Sequence, residues 1–265
     1  MRLRMHGHYD KIREHAYVKG EEFIECYDDS AVQDCDTYAE KSIALMIEPR
    51  SIMPWGYDFL ENGGYKRFKY VFTHDSKLLR TLPNAKKIIV ASVWTRSDVP
   101  KTKDISLVCS FKEMCKLHKV RKTIADLYKD APFVDVYGDW QSKVQTKWVE
   151  PEEYLRDYRY SIVIENYIDD EYFTEKILNC FANKVVPIYL GARDIGKWFN
   201  RRGIIQVDDW RDLANIEFKY FYPRTFKTYY DGIKEYIDEN YEMSQYFSTF
   251  ENWFFNEYGG LLDEM

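Results

Sequence analysis

The sequence predicts an α/β protein built from two Rossmann-like domains, the first of them short. Three observations carry this. Short apolar runs alternate with helix-like stretches, the pattern that gives parallel strands with helices on both faces. A polar segment, "TRSDVPKTKD" at 95–104, holds Pro100 and divides the chain into expected domains at 1–100 and 101–265. The chain has 265 residues, 45% hydrophobic and 31% charged, enough to bury a sizeable core in a globular protein.

The elements follow in order. "SIALMIEP" (42–49) is an apolar run closed by Pro49, hence a buried strand with a loop behind it. "YVFT" is a strand, followed by a short helix and then the strand "KIIVASVW". "DISLVCSF" (104–111) is a further buried strand. In "HKVRKTIADLYKDAP", Val120, Ile124 and Leu127 share a helical face, and the helix stops before Pro132. "FVDVYG" is a strand ending at Gly138. "YSIVIEN", "TEKILNCFANK" and "VVPIYLG" read as strand, helix and strand, and "IIQVDDW" as one more strand. The tail, from about Phe226, is helical and amphipathic and is placed with the second domain. Packing back across to the first domain is one arrangement it allows.

Composition excludes several classes. A net charge of −6 argues against a nucleic-acid partner. No apolar run is long enough to span a bilayer, so no transmembrane segment is expected. The opening "MRLRMHGHYDKIREH" lacks a signal-like apolar core, so the expected compartment is the cytoplasm. Five cysteines, an odd number without a CxxC pair, read as reduced, buried thiols. Aromatics reach 17%, with 23 Tyr, which supplies faces that stack on sugars or bases or else reflects a biased genome.

The stretch "ENYIDDEYFTEK" (165–176) lies where a strand gives way to a helix. In parallel sheets, ligands bind at such carboxyl ends. A helix beginning near Tyr172 or Thr174 turns unpaired N–H groups toward the strand ends, an anion site suited to phosphate. Lys176 is slightly unfavourable for the helix itself in its first turn. It is therefore either a solvated lysine or a phosphate ligand. Glu175 is either a dipole-favoured carboxylate or an acceptor for sugar or ribose hydroxyls. Asn166 is a turn residue or a phosphate donor. Asp169, Asp170 and Glu171 read as a solvated acidic loop, with Asp170 a candidate helix cap; the rival reading is a metal-dependent site. Arg121 follows "DISLVCSF" at the same level of the sheet and is either a surface helix arginine or a guanidinium that clamps phosphate in two-pronged fashion.

Taken together, "YRYSIVIENYIDDEYFTEKILNCFANKVVPIYLG" resembles the signature of the α-1,3-fucosyltransferase family, with Tyr160, Glu165, Asn166, Tyr172, Thr174, Glu175, Lys176, Pro187 and Gly191 at compatible spacing. "ISLVCSF…KVRKTIADLYKDAPFVDVYG" is similar to the segment that precedes it, so the match covers roughly 104–210. It is looser over about 42–90, and the first forty residues and the tail do not match. The chain departs from the pattern at Ile164 and Tyr167.

The resemblance implies a GT-B fold, two Rossmann-type domains with a cleft between them, and an inverting glycosyltransferase active in glycan biosynthesis. It implies GDP-fucose as the donor nucleotide sugar, a glycan acceptor, and no obligate cofactor or metal. Arg121 and Lys176 would face the diphosphate. Glu165, Asn166, Tyr172, Thr174 and Glu175 would line the donor pocket, and Glu48 would be the general base. The alternatives are a transferase using another nucleotide sugar, or a carbohydrate- or nucleotide-binding protein on a decayed scaffold. The oligomeric state is not legible in the sequence.

Overall fold

The computed structural model describes residues 2–7, 23–146, 148–222 and 224–265, so residues 8–15 of the opening stretch lie outside it. The chain forms two compact units, residues 1–90 with 249–265 and residues 91–248.

The first unit holds a parallel sheet whose strands lie side by side in chain order. They are β1 (Arg2–His6), β2 (Phe23–Asp28), β3 (Ser42–Met46), β4 (Tyr70–Thr73) and β5 (Ala85–Lys87). Every residue of β3 is buried, as expected of a central parallel strand covered on both faces. Helices α1 (Pro54–Glu61) and α2 (Ser76–Thr81) follow β3 and β4. Asp75 caps α2, its side chain accepting from the Leu78 N–H at 2.8 Å.

The second unit is a parallel sheet in the order β10-β9-β8-β6-β7. Its strands are β6 (Lys103–Val108), β7 (Val134–Tyr137), β8 (Tyr158–Ile164), β9 (Val186–Leu190) and β10 (Ile205–Gln206). The chain starts at β6, steps outward to β7, then returns to β8 on the other side of β6. That reversal makes a crevice outside the carboxyl ends of β6 and β8. Helix α3 (Lys116–Tyr128) leaves β6, α4 (Pro151–Leu155) precedes β8, and α5 (Glu175–Ala182) leaves β8. The unit closes with α6 (Phe226–Gly232) and α7 (Lys234–Ser244). All five cysteines are free and buried, as the sequence led us to expect.

Five expectations need correction. Strand "KIIVASVW" is not a strand beyond Lys87. Its continuation is held by side-chain amides: Asn179 Oδ1 accepts from Trp94 N–H at 2.7 Å, and Asn183 Nδ2 donates to Thr95 O at 2.9 Å. Those bonds tie residues 94–97 to α5, so the division falls at 90/91 rather than near 100. Leu127 is 51% exposed. The buried arc of α3 runs from Val120 through Ile124 and Arg121 to His118, and Leu127 falls just past its edge. The strand in "IIQVDDW" is confined to Ile205–Gln206. Finally, the last helix, α8 (Phe250–Asp263), belongs to the first unit. Phe254 and Tyr258 each place a ring 4.9 Å from that of Phe72 on β4. Burial of such rings is the main attraction of an aromatic helix to a sheet. No helix among the described residues is long and apolar enough to cross a membrane.

Candidate active site

The crevice of the second unit gathers most of the residues singled out in the sequence. Arg121 is one turn into α3 and only 9% exposed, so it is no surface arginine. Its Nη2 donates to Ile164 O at the end of β8 and to Asn166 Oδ1 at 3.3 Å. Asn166 Oδ1 also meets His118 Nε2 at 3.0 Å, and Cys115 Sγ donates to Asn166 O at 3.4 Å. The loop after β8 is thus held against the start of α3 by three side chains.

His118 was not foreseen, although its position three residues before Arg121 puts both on one helical face. Met114 N–H donates to His118 Nδ1 at 3.2 Å, so Nδ1 carries no proton and Nε2–H donates to Asn166. Burial, reinforced by the neighbouring Arg121 charge and opposed by the Asn166 contact, pulls its pKa down to about 4. The ring is neutral at neutral pH and the positive charge stays on Arg121.

Glu165 follows β8 and is fully buried. Its Oε1 accepts from Thr174 N–H at 3.0 Å and its Oε2 from Thr174 Oγ1 at 2.8 Å. Thr174, not Asp170, caps α5. Lys176 Nζ reaches Thr174 Oγ1 and Glu175 Oε1 at 3.0 Å each and Glu165 Oε2 at 3.6 Å. Its side chain is 26% exposed, so it is neither a solvated lysine nor sealed in the core. Burial opposes its charge, but Glu175 and Glu165 outweigh burial and hold its pKa above the ordinary lysine value. Burial pushes the Glu165 carboxyl up, while Lys176 and the Thr174 donors pull it back. Gly191 closes the far side: a Cβ there would lie 2.3 Å from Tyr189 Oη and 2.7 Å from Glu165 Cγ, so no side chain fits. Tyr172 is buried, its ring 6.4 Å from that of Tyr167.

The acidic loop has protein partners. Asp170 pairs with Arg193 at 3.1 Å, and Glu171 with Lys197 at 3.0 Å and Trp198 Nε1 at 3.2 Å. Among the described residues no group of His, Cys, Asp or Glu is arranged to hold a metal ion.

Glu48 lies in the first unit, two residues past β3 and half-buried. Asp29, also unforeseen, fixes its backbone: Oδ2 accepts from the N–H of Glu48 and from Ile47 N–H at 3.1 Å. Tyr57 Oη donates to Glu48 O at 2.7 Å. Asp29 is 1% exposed, and its Oδ1 has no hydrogen-bond partner among the described residues. Burial, with the charges of Asp28 and Glu48, raises its pKa to about 7 against the pull of the two N–H donors.

Asp29 and His118 therefore oppose each other in the pH dependence of stability. Between pH of about 4 and 7 the folded chain keeps a proton on Asp29 that the unfolded chain has lost, so this group removes stability as pH rises. Between about 6.5 and 4 the unfolded chain protonates His118 and the folded chain does not, so stability is lost as pH falls. Each contributes a slope of at most about 1.4 kcal/mol per pH unit. Thermal midpoints at pH 4.5 and pH 8 should show Asp29→Asn gaining on wild type toward high pH. His118→Gln should gain on it toward low pH. Profiles parallel to wild type in both variants would refute the assignment.

Comparison with solved structures sets the class. An alpha1,3-fucosyltransferase with GDP aligns over 96% of this chain and 83% of its own, with a TM-score of 0.54 and 15% identity. TarM aligns over 91% of this chain and 54% of its own, with a TM-score of 0.58 and 11% identity. At these identities the likeness is one of fold, and the fold is that of the GT-B glycosyltransferases. Residues 100–231 match the family described as Glycosyltransferase family 10 (fucosyltransferase) C-term, and the chain belongs to that family. The Alpha-(1,3)-fucosyltransferase FucT of Helicobacter pylori is 31% identical over 61 residues, spanning 23% of this chain and 13% of that protein.

Proposed function

We propose that this chain is an inverting fucosyltransferase that moves fucose from GDP-fucose to a hydroxyl group of a glycan acceptor. The observation that carries it is the convergence of Arg121, Asn166 and Lys176 on the carboxyl ends of β6 and β8, inside the segment that matches the family. The GDP and GDP-fucose named for solved alpha1,3-fucosyltransferases support the choice of donor.

The acceptor hydroxyl attacks the anomeric carbon from the face opposite the nucleotide, and Glu48 takes its proton. The C–O bond to the nucleotide breaks as the new glycosidic bond forms, and the electron pair leaves on the diphosphate. Arg121, Lys176 and the α5 amino terminus stabilise that charge, which is often the largest catalytic contribution. Among the described residues the hydrogen bonds of Arg121 run through Nη2, which leaves its other N–H groups to meet phosphate oxygens. An ammonium has three donors, and those of Lys176 already face Thr174, Glu175 and Glu165. Phosphate would replace Glu175, whose side chain is 23% exposed, rather than the buried Glu165. The freed Glu175 then accepts from sugar or ribose hydroxyls. Cationic side chains neutralise the diphosphate, so the scheme requires no metal.

Thermal unfolding against GDP-, UDP- and CMP-sugars, with and without chelator, tests it. Ligand that binds only the folded chain raises the midpoint by mass action. A rise with GDP and GDP-fucose that survives chelator is the expected result. A rise only with another nucleotide discards the fucose, chelator sensitivity discards the metal-free scheme, and donor binding without turnover points to a decayed scaffold.

A further inference from the structure

Glu48 stands on the short connection between β3 and α1. Pro49 O accepts from Ile52 N–H at 2.8 Å and from Met53 N–H at 3.1 Å, so the chain turns at once toward α1. Met46 at the end of β3 pairs with Thr73 at the end of β4, which brings this connection beside Asp75. Arg50, two residues past Glu48, reaches three places. Its Nε and Nη2 donate to the two oxygens of Asp75 at 3.2 Å each, a two-pronged contact with the residue that caps α2. Nη2 also donates to Glu61 Oε1 at 2.6 Å, at the end of α1. The guanidinium carbon lies 4.7 Å from the ring centre of Tyr57. Tyr57 is fully buried, and its Oη is the group that donates to Glu48 O at 2.7 Å. Burial, with the charges of Asp75, Asp29 and Glu48 set against that of Arg50, raises the Tyr57 phenol well above its ordinary value, so the hydroxyl stays a donor.

We propose that Arg50 and Tyr57 are positioning residues for the base: Arg50 holds the Tyr57 ring and the turn after Glu48 against α2, and Tyr57 holds the Glu48 carbonyl, so the carboxylate is carried on one fixed backbone. The inference rests on the role of base proposed for Glu48 above, and it adds residues that act through Glu48 rather than on substrate. An ion pair largely withdrawn from water adds little net stability, because the cost of drying the charges offsets their attraction. Asp75 is 2% exposed and already accepts from the Leu78 N–H as a cap, so α2 does not need the guanidinium in order to start. What Arg50 adds is a tie between separate stretches of chain, 25 residues away at Asp75 and 11 at Glu61. A base must lie within hydrogen-bond reach of the attacking hydroxyl, and a displacement of about 1 Å is enough to cost about 100-fold in rate.

The test measures GDP release from GDP-fucose by the full chain, beside GDP titration and thermal unfolding. A mixture of free oligosaccharides is present, so that either a sugar hydroxyl or water serves as acceptor. Tyr57→Phe keeps the ring under Arg50 and removes one hydrogen bond, and its turnover is expected to fall about 2- to 10-fold. Arg50→Lys keeps a charge without the fork and is expected to lose about 10- to 100-fold. GDP affinity should stay at the wild-type value in both. Each change is then repeated in the Glu48→Gln protein. A positioning role has nothing left to act on there, so turnover should fall no further, while the thermal midpoint drops by as much as it does with Glu48 present. The same fold-loss of turnover in both backgrounds overturns the proposal, as does unchanged turnover in the single variants or a loss of GDP affinity in step with turnover. Tyr57→Phe decides alone if Arg50→Lys does not fold. A wild-type chain that binds no GDP defeats the underlying function. One that binds GDP and releases none from GDP-fucose has no base to position, and the proposal falls with it.

Discussion

Turnover by the Glu48→Gln protein is expected to fall about 10²- to 10⁴-fold, the usual worth of a positioned general base. Donor affinity should stay near wild type. Glutamine has nearly the same shape as glutamate, so the change removes the charge and keeps the volume. The backbone of Glu48 is fixed from both sides, its N–H by Asp29 and its C=O by Tyr57. Steady-state turnover measured beside a GDP titration separates the outcomes. Unchanged turnover would remove Glu48 from the chemistry. A collapse of donor binding would mean that the residue holds ligand rather than protons.

Lys176→Ala is expected to act twice. A charge-assisted contact to phosphate contributes about 1.5–3 kcal/mol, so GDP affinity should fall roughly 10- to 100-fold. The same change takes from the fully buried Glu165 carboxyl its ion-pair partner among the described residues and leaves it to neutral partners such as Thr174 and Tyr189. Breaking a buried pair costs about 3–5 kcal/mol, and the partial exposure of Lys176 puts the expected loss near the lower end. Lys176→Met keeps the stem and should lose donor affinity as fully. Thermal unfolding and GDP titration of both variants give the two readouts. Wild-type affinity in either would exclude Lys176 from the donor site, and wild-type stability would show that Glu165 does not need its cation. The motif alone foresaw only the loss of binding; the structural role comes from Glu165, which the motif lists as a neighbour without revealing its burial.

Much of the second unit was legible because its information is local. β8, α5 and β9 are bounded by their own residues: a run of buried apolar side chains, a Thr174 cap and a close turn at Gly191. The cluster of Glu165, Thr174, Glu175 and Lys176 spans twelve residues of sequence, so a motif contains it whole. In the first unit β3 and β4 were equally plain, whereas β1 and β2 were not proposed. β1 alternates Arg with apolar residues and β2 carries buried Glu25 and Asp28, so neither reads as an apolar run.

What the sequence by itself determined was the strand and helix chemistry, the placing of a helix amino terminus after β8, and the family. Tertiary structure alone decided which distant residues meet. Arg121 reaches Asn166 across 45 residues, His118 reaches it across 48, and Asp29 reaches Glu48 across 19. The order β10-β9-β8-β6-β7 brings the first two together, and the pairing of β2 with β3 brings the third. The physical reason is the parallel sheet itself. Its neighbours are joined by long crossovers, so adjacency at the carboxyl edge is fixed by strand order and register, neither of which any local segment encodes.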